Sequence, residues 1–239
     1  MGQSVGNMNT HYRAGDSIIP APKFPIEHFV VPAAMVTYGL IALNNDALRD
    51  LDENTQEEIW QDHAHNHTPV DNLLQFVPAI MVYGLNIAGI KGEHNFVDRS
   101  AIFLMSNLFL GISVSSLKNI TMQQRPDSSD HLSFPSGHTA EAFANAEFLR
   151  LEYRNVSAWY GIGGYVIAAI TGYLRMYNNK HYLSDVIAGA GIGILSTDLS
   201  YFLYPKIKRI FVRNGIKNAM VLPYYQNSVA GFSLSYHLP

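Results

Sequence analysis

Three clusters of reactive side chains punctuate an otherwise apolar chain: KNITMQQRP from Lys118 to Pro126, HLSFPSGHT from His131 to Thr139, and RMYNNKHYLSD from Arg175 to Asp185. In the middle cluster Pro135 fixes the backbone, Ser136 is suited to cap the following helix, and Gly137 allows close backbone approach. That is the geometry of an anion site at a helix N-terminus. Lys118, Arg125 and Arg175 would repel one another if gathered without a partner, and an oxyanion with several negative oxygens resolves the conflict, Arg supplying a fork that fits phosphate. His181 and Asp185 are four positions apart, which on the helix entered here puts them on one face. A carboxylate that accepts from one ring nitrogen fixes the tautomer and leaves the other nitrogen free to attack. His138, from a different element, is placed to protonate a leaving oxygen. The set therefore contains a nucleophile, an orienting acid, a general acid and a cationic clamp for transferring a phosphoryl group.

Taken singly, each residue has a plainer reading. A buried histidine such as His138 or His181 is more often a hydrogen-bonded structural residue, Arg175 an interfacial arginine with its stem in apolar surroundings, and Asp185 a first-turn acid favoured by the helix dipole. Only the consistent spacing of all of them argues for a site. Asp127, Asp130 and His131 lie between two clusters, where lining the mouth of the site and forming a solvated loop are equally good readings.

The elements that must hold these clusters are apolar. The chain has 239 residues, 48% hydrophobic and only 15% charged, against roughly 25% charged in an average soluble domain. That deficit points to a membrane or to a large buried fraction. A net charge of -3 gives no reason to expect nucleic-acid binding, and without cysteine neither disulfides nor thiol chemistry enter. Apolar runs cover residues 29–43, 73–90, 101–117, 139–151, 159–174 and 186–203. The first is short for a span, and the fourth carries Glu141 and Glu147, so it reads as a helix buried among others. Small residues, Gly161, Gly163 and Gly164 in the fifth and Gly189, Gly191 and Gly193 in the sixth, suit close helix contact. Trp159, Tyr160, Tyr201, Phe202 and Tyr204 stand at helix ends as an interfacial belt would have them.

Residues 1–25 read as a polar tail with no secretory signal peptide, residues 26–217 as the helical domain, and residues 218–239 as a tail whose alternating pattern suits a short strand or hairpin without a partner sheet. The acidic stretch from Asp46 to Asp71 contains His63, His65 and His67, read as a solvated loop in preference to a zinc or copper site. If the three clusters share one face of an up-down bundle, the other face collects Arg13, Lys23, Lys91, Arg99, Arg150, Arg154, Lys206, Lys208, Arg209, Arg213 and Lys217, which is 11 of the 16 basic residues. The positive-inside rule then sets the clusters outside the cytoplasm.

The clusters resemble the signature of the type 2 phosphatidic acid phosphatase (PAP2) superfamily. Its first motif, Lys, six residues, Arg-Pro, is matched from Lys118 to Pro126. Its second, Pro-Ser-Gly-His, is matched from Pro135 to His138. Its third, Ser-Arg, five residues, His, three residues, Asp, is matched at Arg175, His181 and Asp185, with Leu174 where the family has Ser. The resemblance implies an all-α, six-helix transmembrane bundle of the acid phosphatase–haloperoxidase type. It implies His181 as nucleophile forming a phosphohistidine, Asp185 as its partner, and His138 as acid and then base. Lys118, Arg125, Ser136, Gly137 and Arg175 would bind phosphate, with no metal and no cofactor. The apolar segments resemble the membrane branch, whose partners are the bilayer and a lipid phosphate or diphosphate; an inner-membrane site facing the periplasm or cell exterior is expected. Competing readings are a phosphotransferase that passes the group to an alcohol, a vanadate-dependent haloperoxidase, and a non-catalytic phospholipid-binding membrane protein.

Overall fold

The computed structural model describes residues 26–61, 66–213, 219–226 and 229–236, so the polar N-terminal tail, His63 and His65 lie outside the described residues. Eight α-helices follow in order: α1 (Ile26–Ala42), α2 (Asp46–Gln56), α3 (Asp71–Leu74), α4 (Val77–Ile87), α5 (Phe96–Thr121), α6 (Gly137–Tyr153), α7 (Ala158–Tyr177) and α8 (Leu183–Arg213). A π-helical turn, Glu57–Gln61, extends α2.

α6 is the hub. Its Ala-rich sequence, GHTAEAFANAEFLRLEY, lets neighbours approach from all sides, and most of its side chains are buried against α4, α5, α7 and α8. α8 comes closest because Gly189 and Gly193 face it. A Cβ added at Gly189 would lie 2.5 Å from Ser136 O, and one at Gly193 would lie still closer to Ala140 O, so only glycine permits this approach. Leu110 and Val114 of α5, Ala140 and Ala144 of α6, and Ile192 of α8 form one apolar cluster, while Val82, Phe148, Leu149 and Tyr153 form another. Between them Ser106 Oγ and Thr197 Oγ1 hydrogen-bond at 2.8 Å, and Thr197 also donates to Ala144 O at 3.1 Å. Polar side chains inside the bundle are thus paired across helices.

On α5 the stripe Ile102, Ser106, Leu110 and Val114 is buried, while Leu104, Leu108 and Ile112 on another face are exposed. An exposed apolar stripe of this kind faces lipid. α5 and Leu183–Ile210 of α8 are each long and apolar enough to cross a membrane. α1 together with α2 and its π-turn adds a third candidate, bent by 95°. The chain is therefore an integral membrane protein, but the expectation of six spans is not met among the described residues. α4 has 11 residues. α6 carries Glu141, Glu147 and Glu152 and is sheathed by protein rather than lipid, so its acids find partners there. α7 is 20 residues long, but its glycines and tyrosines dilute its hydropathy. The second apolar run, 73–90, is divided between α3 and α4, with Pro78 at the start of α4.

The tail beyond α8 contains a two-stranded antiparallel sheet, β1 (Ala219–Gln226) with β2 (Val229–Tyr236), running from Ala219 opposite Tyr236 to Gln226 opposite Val229. This hairpin is the one exception to an all-helical architecture among the described residues.

Candidate functional site

Lys118 lies in the last turn of α5, which ends where Met122 takes a left-handed conformation (φ 48°). The chain then folds back on itself: Ser133 N–H donates to Gln123 O at 2.9 Å and Arg125 N–H to Asp130 O at 3.0 Å. This turn delivers the second cluster. Ser136 caps α6, its hydroxyl 2.9 Å from Thr139 Oγ1 and accepting from Thr139 N–H at 3.4 Å. Its own N–H donates to Asp185 O at 3.1 Å, which fastens the second cluster to the third. The amides of Gly137 and His138 meet no acceptor among the described residues. They are the open donors of this helix end.

His181 does not stand on α8, as its spacing from Asp185 suggested, but two residues before it. The pair still meets, because Asp185 sits at the third position of α8 and its Oδ2 accepts the Tyr182 N–H at 3.0 Å, one half of a capping box. His181 Nδ1 lies 3.4 Å from the same oxygen, which also accepts the Ser133 hydroxyl at 2.6 Å. On its other side His181 Nε2 lies 3.2 Å from Arg125 Nη1, a donor in every state, so the lone pair is at Nε2 and the proton at Nδ1. His181 is fully buried, and burial first, then the positive charges of Arg175, Lys118 and Arg125, hold its pKa well below the ordinary value.

All three expected cations converge here. Lys118 Nζ rests on the carbonyls of Leu132 and Ser133. Arg125 Nε binds Asp130 Oδ1 at 2.7 Å and its Nη1 reaches Lys180 O at 3.3 Å. Arg175, in the last turn of α7, is buried and paired through Nη1 with Asp71, while its Nε has no partner. Asp127 and Asp130 are not merely solvated: Asp130 holds Arg125, and Asp127 pairs with Lys180. Partial burial would raise the Asp127 carboxyl, but Lys180 and Ser129 hold it down at about 2.

His138 opens onto a cavity of about 410 Å³ lined by His67, Thr68, Pro69, Asp71, Asn72, Arg175, Asn178 and Lys180. Its Nε2 is 2.8 Å from Asn72 Oδ1, an acceptor, so that nitrogen carries the proton. Burial first, then Arg175, with Arg125 and Lys118 behind it, brings its pKa down to about 4.

The sequence alone missed Asp71, Asn72, Ser133, Asn178 and Asp52. Asn178 grips Thr68 at both backbone atoms, accepting from its N–H at 2.9 Å and donating to its carbonyl at 2.8 Å. That clamp sets α3, and with it Asp71 and Asn72, over the cavity. Asp52 reaches from α2 to take Ser184 N–H at 2.8 Å and Ser184 Oγ, capping α8 from outside. A Pro-x-Asp-Asn turn before an apolar run marks a helix start, but nothing local pairs residue 71 with residue 175. His67 packs against Trp60 at a tilt of 40°, with ring centroids 5.1 Å apart, and reaches the cavity wall. No group of three or more His, Asp or Glu side chains is placed to hold a metal among the described residues. Leu174, which departs from the family motif, offers only its carbonyl, to Asn178 N–H at 2.9 Å.

Residues 99–209, which contain the whole of this arrangement except the contributions of α2, of α3 and of the loop that leads into α3, match the PAP2 superfamily. The chain belongs to the PAP2 superfamily. Among curated proteins, this PAP2 chain is 35% identical over 161 residues to the lipid A 1-phosphatase of Porphyromonas gingivalis, covering 67% of the chain and 36% of the relative. It is 38% identical over 74 residues to the lipid A 4'-phosphatase of Bacteroides thetaiotaomicron, covering 31% of the chain and 32% of that relative. It thus spans about a third of the length of the curated relatives it matches. The crystal structure of a transmembrane PAP2-type phosphatidylglycerolphosphate phosphatase from Bacillus subtilis is similar in fold, with 22% identity, a TM-score of 0.50, and coverage of 75% of this chain and 98% of that one.

Proposed function

We propose that this PAP2 chain is a metal-independent lipid phosphatase that removes a phosphate from the polar head of a membrane lipid through a phosphohistidine. The observation that carries the reading is the neutral, buried His181 whose Nε2 is aimed at the cation cluster of Lys118, Arg125 and Arg175. A phosphate oxygen would satisfy the unpartnered Arg175 Nε, and the Gly137 and His138 amides would take another. His181 Nε2 attacks phosphorus, Asp185 supports the charge that develops on the ring, and the bond to the leaving oxygen breaks as that oxygen takes a proton from His138. Water, deprotonated by His138, then hydrolyses the phosphohistidine.

His138 is neutral in the free protein, since its pKa is about 4. A bound phosphate offsets the repulsion from Arg175, Arg125 and Lys118, so His138 becomes a competent acid only with the substrate anion in place. The head group is polar and sugar-like in this reading: Thr68, Asn72, Asn178 and Lys180 surround the cavity, and the two curated relatives are named for lipid A. The site lies at the ends of the spans, where a lipid presents its head without leaving the bilayer. Extracting an acyl chain would cost about 0.8 kcal/mol per CH₂. The positive-inside pattern supports a site facing away from the cytoplasm.

The test is phosphate release by detergent-solubilised protein from lipid A phosphates and other lipid mono- and diphosphates, with EDTA present. Turnover is expected to persist under chelation and to fall by at least about a thousandfold in His181→Ala. His138→Ala is expected to lose turnover as well, because both formation and hydrolysis of the phosphohistidine use that residue. Full activity in His181→Ala, or loss of wild-type turnover with EDTA that zinc restores, would sink the mechanism.

A further inference from the structure

A cavity larger than the one beside His138 lies away from the proposed catalytic end. It has a volume of about 560 Å³ and is lined by Arg150, Arg154 and Ser157 at one end and by Ala158, Gly161, Ile162, Tyr165, Val166 and Ala169 along α7. Arg150 is twelve residues along α6 from His138, about 18 Å at the helical rise, so the charged end of this groove lies near the face opposite the catalytic site.

The six α7 residues follow helical spacing and form one continuous apolar wall. From Ala158 to Ala169 it runs about 16 Å, against about 15 Å for the hydrocarbon depth of a single leaflet. Arg150 lies across the head of the wall: a Cβ at Gly161 would come within 2.7 Å of its Cγ, so the missing side chain is what lets the arginine stem settle there. Asp198 of α8 acts on Arg150 from beside Glu147, to which it is hydrogen-bonded, and Glu147 itself accepts from Arg150 Nε at 2.7 Å and from the Tyr165 hydroxyl at 2.5 Å. That carboxylate is buried and neutralises one arginine. Arg154 is exposed and makes no ion pair among the described residues, so an unpaired positive charge stands at the mouth of the groove.

We infer that this groove binds an anionic phospholipid of the leaflet opposite the catalytic site, with the phosphate at Arg154 and Arg150 and one acyl chain along α7 from Ile162 to Ala169. Positive charge at the head-group level joined to an apolar channel one leaflet deep is complementary to such a lipid and to neither a soluble phosphate nor a zwitterionic lipid. The bound chain would also cover α7 where glycines leave it thin. The site uses no catalytic residue, so the inference stands apart from the proposed reaction.

The experiment is thermal unfolding of the detergent-purified full chain with added phosphatidylglycerol, phosphatidylcholine or inorganic phosphate. Saturating phosphatidylglycerol is expected to raise Tm by about 4–8 °C, and phosphatidylcholine to leave it unchanged. Arg154→Gln, at an exposed position, and Val166→Trp, which narrows the channel, are each expected to abolish that rise while leaving any shift caused by inorganic phosphate intact. Equal stabilisation by phosphatidylcholine, a full phosphatidylglycerol effect in both variants, or competition between inorganic phosphate and phosphatidylglycerol would overturn the inference. The last of these would place the lipid in the catalytic cavity instead.

Discussion

The two ends of the bundle are both rich in buried charge, yet they are finished differently. At the end away from the site, Glu152 of α6 gathers His94 Nδ1 at 2.8 Å, the Tyr201 hydroxyl at 2.6 Å, Arg99 Nε at 3.0 Å and the His94 amide at 3.2 Å. Nearby Asp98 takes Lys208 and the Tyr204 hydroxyl. These contacts tie the ends of α5, α6 and α8 together and turn Tyr201 and Tyr204 from belt residues into hydrogen-bond donors. At the end that carries the three clusters Lys118 has only carbonyls, Arg175 Nε and His181 Nδ1 make no hydrogen bond, and the first amides of α6 are open. The first cluster closes around its carboxylates and leaves Arg99 Nη1 unpartnered, whereas the second leaves its cations short of negative charge and so suits an anion.

This contrast can be broken or sharpened by mutation. The largest effect is expected at Asp71→Asn, which strands the buried Arg175. Removing one partner of a buried pair costs about 3–5 kcal/mol, so the thermal transition should drop sharply and KM for the lipid phosphate should change with it. Glu152→Gln should cost a comparable but smaller amount, about 2–3 kcal/mol, because His94, Tyr201 and Arg99 keep a neutral acceptor. The same variant should leave kcat and KM unaltered at a temperature where it is folded. A changed kcat in Glu152→Gln would show that the two ends are not independent.

A smaller effect is expected at Asn72, whose Oδ1 fixes the His138 tautomer. Asn72→Ala should lower kcat by about tenfold with little change in KM. Asn72→Asp should raise the His138 pKa and move the pH–rate profile upward, a shift that a purely structural role would not produce. The smallest effect is on stability against pH. His138 and His181 both have folded pKa values below the unfolded value near 6.5. Below that pH the unfolded chain binds protons that the folded chain does not, so stability should decline from about pH 6.5 towards pH 4 and be unaffected by these groups above it. Bound phosphate should narrow that window by raising the pKa of His138.

The helices and the three clusters were legible because their signals are local. Helical apolar runs, Ser136 before α6, the spacing of Lys118 from Arg125 and that of Arg175, His181 and Asp185 can each be read within a window of about ten residues. The number of spans was not legible, because hydropathy counts apolar residues without knowing whether lipid or protein surrounds them. α6 shows the difference: its acids are tolerable only because α5, α7 and α8 enclose it. Asp52 and Asp71 read as members of a solvated acidic stretch, and their roles depend on partners 132 and 104 residues away.

By itself the sequence determined which cations, histidines and carboxylates the three clusters contain, and in what order they follow, since spacing along a chain is a covalent property. The tertiary structure alone decided which of those groups are already satisfied and which remain open. Whether a cation meets a carboxylate, a carbonyl or nothing depends on through-space distances of about 3 Å, set by how closely the glycines of α8 let it approach α6 and by how Asn178 anchors the loop that carries Asp71 and Asn72.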